Sequence, residues 1–305
     1  MTDHIWAVVT SFRPDNTLHR VVSSIRPQVA GVVVVDDGSG SDFDDVLTTV
    51  QSDEVVVERL PTNSGIAAAL NRGIRLSLDL GAEVIVTLDQ DSSVERDFTD
   101  RLLGTRASAE SEGVRVGVVV PEYFAGVRQA HSATVGGTLR ARNVIQSGML
   151  LTAETLHSVG GMFEPFFIDL VDVEFEMRCA DHGLVAVAAP GLRLEHRLGS
   201  RYQSRGRIPL PVMTLSTPFR YYYRARNRVL LNRRYLRSHP VHLLRTTLLD
   251  GIHFVLAWSV AQPRGDMRRL ISAGIRDGWK GKGGRISAEL DALASGIRWN
   301  ADRID

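Results

Sequence analysis

Two carboxylates, Asp89 and Asp91, stand two positions apart at the end of a short apolar run, 84–88. A run this short and this rich in β-branched residues is typical of a buried strand. Side chains at the carboxyl end of a parallel strand face the crevice in which open α/β sheets bind ligands. Neighbouring carboxylates repel each other unless a cation lies between them, and Mg2+ and Mn2+ prefer oxygen ligands. The pair indicates a divalent metal site, although an aspartate turn that caps the next helix also fits a lone D-x-D pattern.

Further polar residues follow other predicted strands of the same sheet. The first apolar run ends at Thr10 and leads into Phe12 and Arg13, and the second ends beside Asp37. Because parallel strands end at one edge of a sheet, these residues should lie near the two aspartates. Asp37 could accept hydrogen bonds from a pyrimidine N–H or a ribose hydroxyl, and the helix opening at 63–65 offers free backbone N–H groups nearby.

The spacing of apolar residues predicts the elements that position these side chains. The first 92 residues alternate strand and helix four times, which implies a parallel sheet with right-handed crossovers. Farther along, the pattern predicts an extended segment over 166–170 and a helix over 172–182. The fold class is therefore α/β, with a mostly parallel sheet and a helical C-terminal region. Neither a G-x-G-x-x-G turn after the first strand nor a Walker A loop occurs, which weakens the dehydrogenase and P-loop hypotheses.

Composition limits the classes of protein to which this chain can belong. Its 305 residues are 44% hydrophobic and 23% charged, which suits one large or two smaller globular domains. The net charge of +1 argues against nucleic-acid binding, and Cys179, the single cysteine, cannot form an intrachain disulfide. No signal peptide is visible, and polar residues interrupt the longest apolar window, 241–261. We therefore expect a cytoplasmic protein without a spanning helix.

Arginine and aromatic residues are concentrated after residue 193. The arginines of this block are Arg197, Arg201, Arg205, Arg207, Arg220, Arg224, Arg226, Arg228, Arg233, Arg234 and Arg237, and its aromatic residues are Tyr202, Phe219, Tyr221, Tyr222, Tyr223 and Tyr235. The block can be a solvated helical face, or it can contact an anionic partner such as nucleotide phosphate, a lipid diphosphate or a membrane surface. No RNA-binding motif accompanies it.

The order and spacing of the motifs resemble the inverting family-2 glycosyltransferases of GT-A fold, and especially the bacterial rhamnosyltransferases that use dTDP-L-rhamnose. The matching segments are VVTSF at 8–12, VVDDGS at 34–39, NSGIAAALN at 63–71, LDQDS at 88–92, SGML at 147–150, FIDLVDVEF at 167–175, EH at 195–196 and YYRARN at 222–227. The resemblance implies a Rossmann-like GT-A sheet with helices on both faces. Its implied divisions are a catalytic domain over 1–215, with a nucleotide-sugar half over 1–92 and an acceptor half over 93–215, and a basic, amphipathic C-terminal region over 216–305.

The resemblance also implies roles for individual residues. The implied substrate and nucleotide site consists of Thr10, Phe12, Arg13, Asp37, Asn63, Asn71, Asp89, Ser147 and Asp169, and the implied ligands of Mg2+ or Mn2+ are Asp89, Asp91 and His196. Asp172 is the implied catalytic base. Val171 stands where many relatives carry Glu, so Asp169 remains an alternative base. Asp172 also fits a helix N-cap, and His196 fits a loop histidine of structural use only.

The chemistry of sugar transfer agrees with these roles. An inverting transfer needs a carboxylate to deprotonate the acceptor hydroxyl and a cation to neutralise the diphosphate that leaves. The sequence thus predicts a metal-dependent glycosyltransferase that moves L-rhamnose from dTDP-L-rhamnose to a lipid-linked cell-surface polysaccharide. The alternatives are another donor, such as UDP-galactofuranose or UDP-N-acetylhexosamine, a nucleotidyltransferase, or a scaffold without activity.

The C-terminal region carries a further expectation. Arg233, Arg234 and Arg237 precede an apolar run that includes Leu244, Leu248 and Trp258; the whole reads as one amphipathic segment. Such a segment can lie in a membrane interface with arginine at the headgroups. We expect peripheral contact with the inner face of the plasma membrane. Packing on the catalytic domain, or a homodimer interface, is the alternative use of the same apolar residues.

Overall fold

A computed structural model describes residues 4–133, 137–196, 200–204 and 212–304 of the chain. The chain divides into two compact units. The first comprises Met1–Phe163 and Val171–Arg197, and the second comprises Glu164–Leu170 and Leu198–Asp305.

The first unit contains ten strands and six α-helices among the described residues. The strands are β1 Ile5–Ser11, β2 Gly31–Asp36, β3 Val55–Arg59, β4 Val84–Asp89, β5 Val116–Phe124, β6 Val127–Arg128, β7 Ala130–Ala133, β8 Leu139–Ala141, β9 Met149–Thr152 and β10 Val185–Leu194. The helices are α1 Thr17–Ile25, α2 Asp44–Val50, α3 Ile66–Asp79, α4 Phe98–Ser111, α5 Ala153–Val159 and α6 Val171–Asp181. The strands form one sheet in the order β3-β2-β1-β4-β9-β5-β10-β8-β7, with β6 paired to β5.

The first four strands are parallel, as the alternation of apolar runs and helices predicts. β1 lies between β2 and β4, and β3 adds to the outer side of β2. Every residue of β2 is buried, which explains its continuous apolar sequence. Helix α3 approaches the sheet closely at Gly73, where an added Cβ would lie 2.4 Å from Cγ1 of Val8. This half of the sheet places the ends of β1, β2 and β4 at one edge.

One antiparallel strand completes that edge. β9 is inserted between β4 and β5 and runs opposite to β4, so the residues that precede β9 lie at the carboxyl end of β4. Gly148 N donates a 2.7 Å hydrogen bond to Thr87 O. Gly148 has a φ of +84°, a value that residues with a Cβ rarely adopt, and an added Cβ would lie 3.0 Å from Leu194 Cδ2. The turn before β9 is therefore fixed against β4.

The second unit consists largely of helices. Its elements are strands β11 Arg201–Ser204, β12 Met213–Thr214, β13 Ala261–Gln262, β14 Arg298–Trp299 and β15 Ala301–Arg303, with helices α7 Phe219–Tyr235, α8 Pro240–Val260, α9 Arg264–Trp279 and α10 Ala288–Gly296. Helix α7 packs closely along α9, because Gly274 and Gly278 let its carbonyls approach: an added Cβ at Gly274 would lie 2.4 Å from Tyr222 O. Tyr221, Tyr222 and Tyr223 on α7 are all buried in the unit's core.

The prediction of an extended segment over 166–170 is wrong. Glu164–Phe166 forms a 3-10 turn, and Phe167, Asp169 and Leu170 have φ values of 63°, 67° and 62°. Non-glycine residues with positive φ are uncommon and need support from their surroundings. Asn227 of α7 supplies this support, because its Nδ2 lies within 2.9 Å of the carbonyl oxygens of Phe166, Ile168 and Asp169. A contact between residues about 60 positions apart thus overrides the local preference of 166–170 for an extended backbone.

Much of the arginine block lies in the interior of the second unit. Arg226 is fully buried and donates to the carbonyls of Pro165 and Phe166, while Arg228 and Arg224 both bind Asp250. For Arg226 and Arg228 neither a solvated face nor an anionic ligand is the explanation, because a buried guanidinium requires internal acceptors. The Arg224 side chain remains 42% exposed beside its pair with Asp250. The Arg197, Arg205 and Arg207 positions of the predicted block lie outside the described residues.

Helix α8 is, by length and composition, sufficient to cross a membrane, and 22% of its apolar 18-residue window is buried in the protein. The sequence analysis predicts no spanning helix here. The buried residues of α8 include Asp250, which is 4% exposed and paired with two arginines. Length alone therefore does not distinguish a spanning helix from a helix that packs on the unit through one face.

Candidate functional site

Asp89, Asp91 and His196 lie together at the carboxyl edge of the sheet. Asp89 ends β4, and His196 follows β10 by two residues. An antiparallel bridge between Ser93 and Glu195 joins the two segments, with a 3.2 Å hydrogen bond from Ser93 N to Glu195 O. One ligand atom from each of the three residues lies within 4.8 Å of the other two, and His196 Nδ1 is 3.2 Å from Asp91 Oδ1. The fold thus assembles the three predicted metal ligands from positions that are about a hundred residues apart.

Hydroxyl and amide groups hold these three residues in place. Ser92 Oγ lies 3.0 Å from His196 Nδ1 and 2.8 Å from Ser147 Oγ. Asp89 N donates to Ser147 Oγ at 3.0 Å, and Gln146 Nε2 donates to Asp89 Oδ1. The predicted site residue Ser147 is fully buried, so it can support Asp89 through this hydrogen bond but is not itself exposed to solvent. Such outer contacts orient metal ligands and affect metal affinity strongly.

The donor set of this group fits a hard or borderline divalent cation. Two carboxylates and one imidazole suit Mg2+, Mn2+ or Zn2+, with the carboxylates favouring the harder ions. All three residues are half-buried, so the ligand atoms can be reached from solvent. A cavity of about 230 Å³ opens beside Asp91 and His196, and Thr17 and Arg20 line its other side. The arrangement can hold a cation and leave room for a further ligand of that cation.

The loop after β1 is tied to its neighbours by side chains. Phe12 N donates to Gln90 Oε1 at 2.8 Å, and Arg13 N donates to Ser39 Oγ at 2.6 Å. Arg13 has a φ of 51°, and its guanidinium carbon lies 5.1 Å from the Phe12 ring centre. Phe12 remains 37% exposed. Thr10, the neighbour of Asp89 in the parallel register, is buried below this loop.

Asp37 and the start of helix α3 bind each other. Asp37 Oδ1 accepts from Ser64 N at 2.7 Å, and Asp37 Oδ2 accepts from Gly65 N at 2.8 Å. The N–H groups that the sequence analysis expects to be free are therefore occupied by this carboxylate. A negative charge at a helix N-terminus is favourable in itself. Asn63 contributes a buried Oδ1 that has no hydrogen-bond partner among the described residues.

Asn71 lies away from solvent and holds a second chain segment. Its Nδ2 donates to Met162 O at 2.9 Å, and its Oδ1 accepts from Met162 N at 2.7 Å. Gly161 makes this possible, because an added Cβ there would lie 2.4 Å from Asn71 Oδ1. The side chain is 7% exposed. These contacts give Asn71 a place in the frame of the first unit. Its predicted place in the nucleotide pocket stays a prediction.

Asp172 lies in the first turn of α6, and Glu176 lies one turn later. Asp172 is half-buried, and its Oδ1 accepts from Val173 N at 2.8 Å. Glu176 Oε2 accepts from Val144 N at 3.1 Å. Burial raises the pKa of Glu176 to about 7, and the negative charge of Asp172 raises it too, against the opposing effects of the N–H groups of Val144 and Asn143. Burial, with a smaller contribution from the charge of Asp172, therefore disfavours the ionised form of Glu176.

Asp169 belongs to the second unit and is bound there on both oxygens. Arg220 Nη2 lies 2.6 Å from Asp169 Oδ1, and Arg220 Nε lies 3.2 Å from Asp169 Oδ2. The Asp169 side chain is 8% exposed. Both carboxylate oxygens of Asp169 are therefore occupied by the Arg220 guanidinium. This geometry favours Asp172 over Asp169 as the group that accepts a proton.

Three supporting residues have no role in the sequence analysis. Ser92, Gln146 and Glu176 contact the predicted site residues or their charges. Ser92 and Gln146 directly follow or precede predicted site residues, which is a weak signal for a supporting role. Glu176 lies four positions after Asp172, on the same side of the helix. Its burial depends on the 143–144 segment, which local sequence does not place.

Comparisons with known proteins agree on one family. The family model Glycosyl transferase family 2 matches residues 6–159. The dTDP-rhamnosyl transferase RfbF of Shigella flexneri is 30% identical over 308 residues, which is 94% of this chain and 100% of that protein.

Solved structures show the same fold at low sequence identity. GalNAc-T7, crystallised with UDP, GalNAc and Mn2+, has a TM-score of 0.58 at 14% identity, over 96% of this chain and 56% of that one. TarS of S. aureus has a TM-score of 0.56 at 14% identity, over 95% and 50%. This chain therefore spans about half the length of these two proteins. TarS 1–349 in complex with UDP-GlcNAc has a TM-score of 0.55 at 14% identity, over 95% and 83%.

The Asp89–Asp91–His196 group should bind Mn2+ directly. We expect Asp91→Ala to abolish Mn2+ binding in the range where the native protein binds, because it removes a charged ligand atom. Ser92→Ala should weaken binding by about 10- to 100-fold, the usual cost of a lost supporting contact. Both are measured by titration of free Mn2+ with electron paramagnetic resonance.

A matched control for the Mn2+ titration is Asp79→Ala, which removes an exposed aspartate at the end of α3. It should leave Mn2+ affinity unchanged. Native affinity in Asp91→Ala would show that the metal site is elsewhere.

The raised pKa of Glu176 should make the stability of the protein depend on pH. Between about pH 4.5 and 7 the folded state keeps a proton that the unfolded state has lost, so the free energy of unfolding falls as pH rises through this window. Glu176→Gln removes this dependence and keeps an acceptor for Val144 N. The free energy of unfolding of the variant, measured relative to that of the native protein, should increase by roughly 2–3 kcal/mol from pH 5 to pH 8. Urea unfolding at a series of pH values measures this, and parallel profiles would contradict it.

Proposed function

The chain belongs to glycosyltransferase family 2, and we propose that it transfers L-rhamnose from dTDP-L-rhamnose. The proposed acceptor is a hydroxyl group of a growing, lipid-linked cell-surface polysaccharide. The transfer inverts the anomeric configuration. The fold, the family and the metal-binding chemistry of the edge of the sheet support the glycosyltransferase activity.

One observation carries the choice of rhamnose. The relative from Shigella flexneri is named a dTDP-rhamnosyl transferase, and the match extends over 94% of this chain and the whole of that protein. A match over the full length includes the regions that would recognise the sugar as well as the nucleotide. The structural neighbours with UDP and UDP-GlcNAc are only 14% identical and support the fold rather than a particular donor.

Different residues of the first unit would have different roles in the reaction. Asp172 would take the proton of the acceptor hydroxyl while that oxygen bonds to the anomeric carbon and the bond from this carbon to the diphosphate breaks. The electron pair of the broken bond leaves with dTDP. Asp89, Asp91 and His196 would hold a divalent cation, which supplies neutralisation of the diphosphate charge. The partly exposed ring of Phe12 would stack with the thymine ring.

Two alternatives differ from this proposal in their predicted substrates. Another donor, such as UDP-galactofuranose or UDP-N-acetylhexosamine, would use the same fold and metal ligands. A nucleotidyltransferase would also use paired aspartates, but the family match leaves that hypothesis without support. The donor is therefore the question that experiment should address first.

A donor panel tests the proposed substrate. Purified protein is incubated with Mn2+ or Mg2+ and one of dTDP-L-rhamnose, UDP-galactofuranose or UDP-N-acetylglucosamine, and the release of nucleoside diphosphate is measured. We expect dTDP-L-rhamnose to be turned over fastest, and EDTA to stop the reaction because the diphosphate then leaves without a cation. Asp91→Ala serves as the inactive control. Faster turnover of a UDP-sugar would replace the proposed donor and leave the family assignment intact.

The choice of base is tested by a pair of isosteric variants. Asp172→Asn should lower kcat by about 100-fold or more, the usual contribution of a general base, while donor affinity stays near native. Asp169→Asn should act mainly on stability, since it weakens the pair with Arg220. Transfer rates and donor affinity are measured for both variants. Near-native transfer by Asp172→Asn together with an inactive, folded Asp169→Asn would reverse the assignment.

A further inference from the structure

Helix α8 has one face that is apolar and exposed. Val241, Leu244, Leu248, Ile252 and Val255 recur every three or four residues, so they lie on one side of the helix. Their exposed fractions range from 50% to 81%. Leu249 and Trp258, at the margins of this face, are 52% and 40% exposed. Scattered exposed apolar residues are ordinary, but a continuous face of this kind indicates a binding surface.

The opposite face fastens α8 to the second unit. Ala257 and Val260 are buried in the core of the unit, and Leu243 is fully buried. Asp250 is 4% exposed and accepts from Arg224 Nε at 2.9 Å and from Arg228 Nε at 2.7 Å. Withdrawing the helix would leave these charges buried without partners, which is strongly unfavourable. Helix α8 is therefore held along its length against the unit, which suits a helix that lies in the plane of a membrane.

Between Val229 and Gly265 the exposed charges are all arginines, and the next acidic residue along the chain is Asp266. From Val229 to Gly265, Asp250 is the single acidic residue, and it faces inward. The same segment contains Arg233, Arg234, Arg237, Arg245 and Arg264. Arg237 and Arg245 are exposed near the amino end of α8. Arg264 lies near its carboxyl end, with its guanidinium carbon 5.8 Å from the Trp258 ring centre. The accessible surface of the segment is therefore apolar along the helix and cationic at its ends.

An apolar face with cationic ends favours a lipid surface over a second copy of the chain as the binding partner. In a two-fold symmetric dimer the same patch meets itself, so arginines would approach arginines without acidic partners from this segment. An anionic bilayer instead offers hydrocarbon to the leucines and phosphate to the guanidinium groups. Tryptophan at the margin of the face suits the headgroup region of a membrane.

We propose that the exposed face of helix α8, from Val241 to Trp258, docks in the plane of an anionic lipid bilayer, with Arg237, Arg245 and Arg264 at the headgroups. The docking holds the enzyme at a membrane reversibly, without a spanning segment. It does not depend on which donor sugar the enzyme uses. A lipid-linked acceptor would share the membrane with the docked enzyme.

Sedimentation with vesicles tests the docking. The full chain is mixed with vesicles of phosphatidylcholine alone, or with phosphatidylglycerol added. We expect binding to the anionic vesicles at low salt, and weaker binding at high salt. The double variant Leu248→Glu with Ile252→Glu should lose binding, because it places charge on the apolar face. Arg237→Ser and Arg245→Ser should each weaken binding about fivefold, since one arginine contributes on the order of a factor of five near an anionic surface.

Matched substitutions in the first unit test whether vesicle binding is specific to the α8 face or arises from any exposed apolar or basic residue. Leu80→Glu changes an exposed apolar residue of the first unit, and Arg140→Ser removes an exposed arginine there. Both should bind vesicles as the native protein does. Arg233 is less suitable for substitution, because its Nη1 donates to the carbonyls of Gly278 and Trp279. Thermal unfolding and donor turnover in solution should be unchanged in all of these variants.

Quenching by brominated lipid gives a second, independent measurement. Trp258 should be quenched by bromine in the acyl chains, and Trp258→Phe should remove this part of the quenching while the protein still sediments with vesicles. Absence of native binding at low salt would overturn the proposal. So would equal binding by the Leu248→Glu, Ile252→Glu variant. A native dimer that this variant separates, together with no vesicle binding, would identify the face as an interface between copies.

Discussion

The crowding of two aspartates at the end of β4 is the constraint on which the arrangement of the site depends. Asp89 and Asp91 can share one edge only if donors surround them, since like charges in a partly buried place raise the free energy of the folded state. The chain supplies these donors from outside β4. Gln146 and Ser147 come from the turn that enters β9, and His196 comes from the segment after β10. The insertion of an antiparallel strand beside β4 is thus the structural condition for a cation site.

Other carboxylates at that edge of the sheet are likewise held by hydrogen-bond donors from other segments of the chain. Asp37 is satisfied by the first N–H groups of α3, and Ser39 joins Asp36 to the backbone of Arg13. The loops after β1, β2 and β4 are held by side chains from neighbouring loops, in addition to the backbone bridge between Ser93 and Glu195. Bringing a nucleotide to this edge therefore requires few new backbone constraints, because the loops are already fixed around Phe12 and Asp91.

The parallel half of the sheet could be predicted because its information is local. Short β-branched runs separated by helices of ordinary spacing allow few arrangements, and the polar ends of β1, β2 and β4 then meet at one edge. The features that local sequence does not determine depend instead on distant partners. The Asn71 amide binds the backbone of Met162, 91 positions away. The left-handed backbone at Asp169 similarly requires Asn227.

The arginine block shows why composition does not identify the use of a charge. On α7, Arg226 binds carbonyl groups inside the second unit, and Arg224 and Arg228 neutralise Asp250. These contacts place Arg226 and Arg228 in the interior of the unit, and the pairs of Arg224 and Arg228 with Asp250 fix α8 through its one acidic residue. Helix α8 has the length and hydropathy to span a bilayer, but these pairs hold one of its faces against the second unit. What remains for the solvent is the face that carries Leu248 and Ile252, bordered by arginines with no acidic neighbour on the segment. The internal ion pairs therefore decide which side of α8 packs on the unit and which side is exposed, and the proposed membrane docking depends on this orientation.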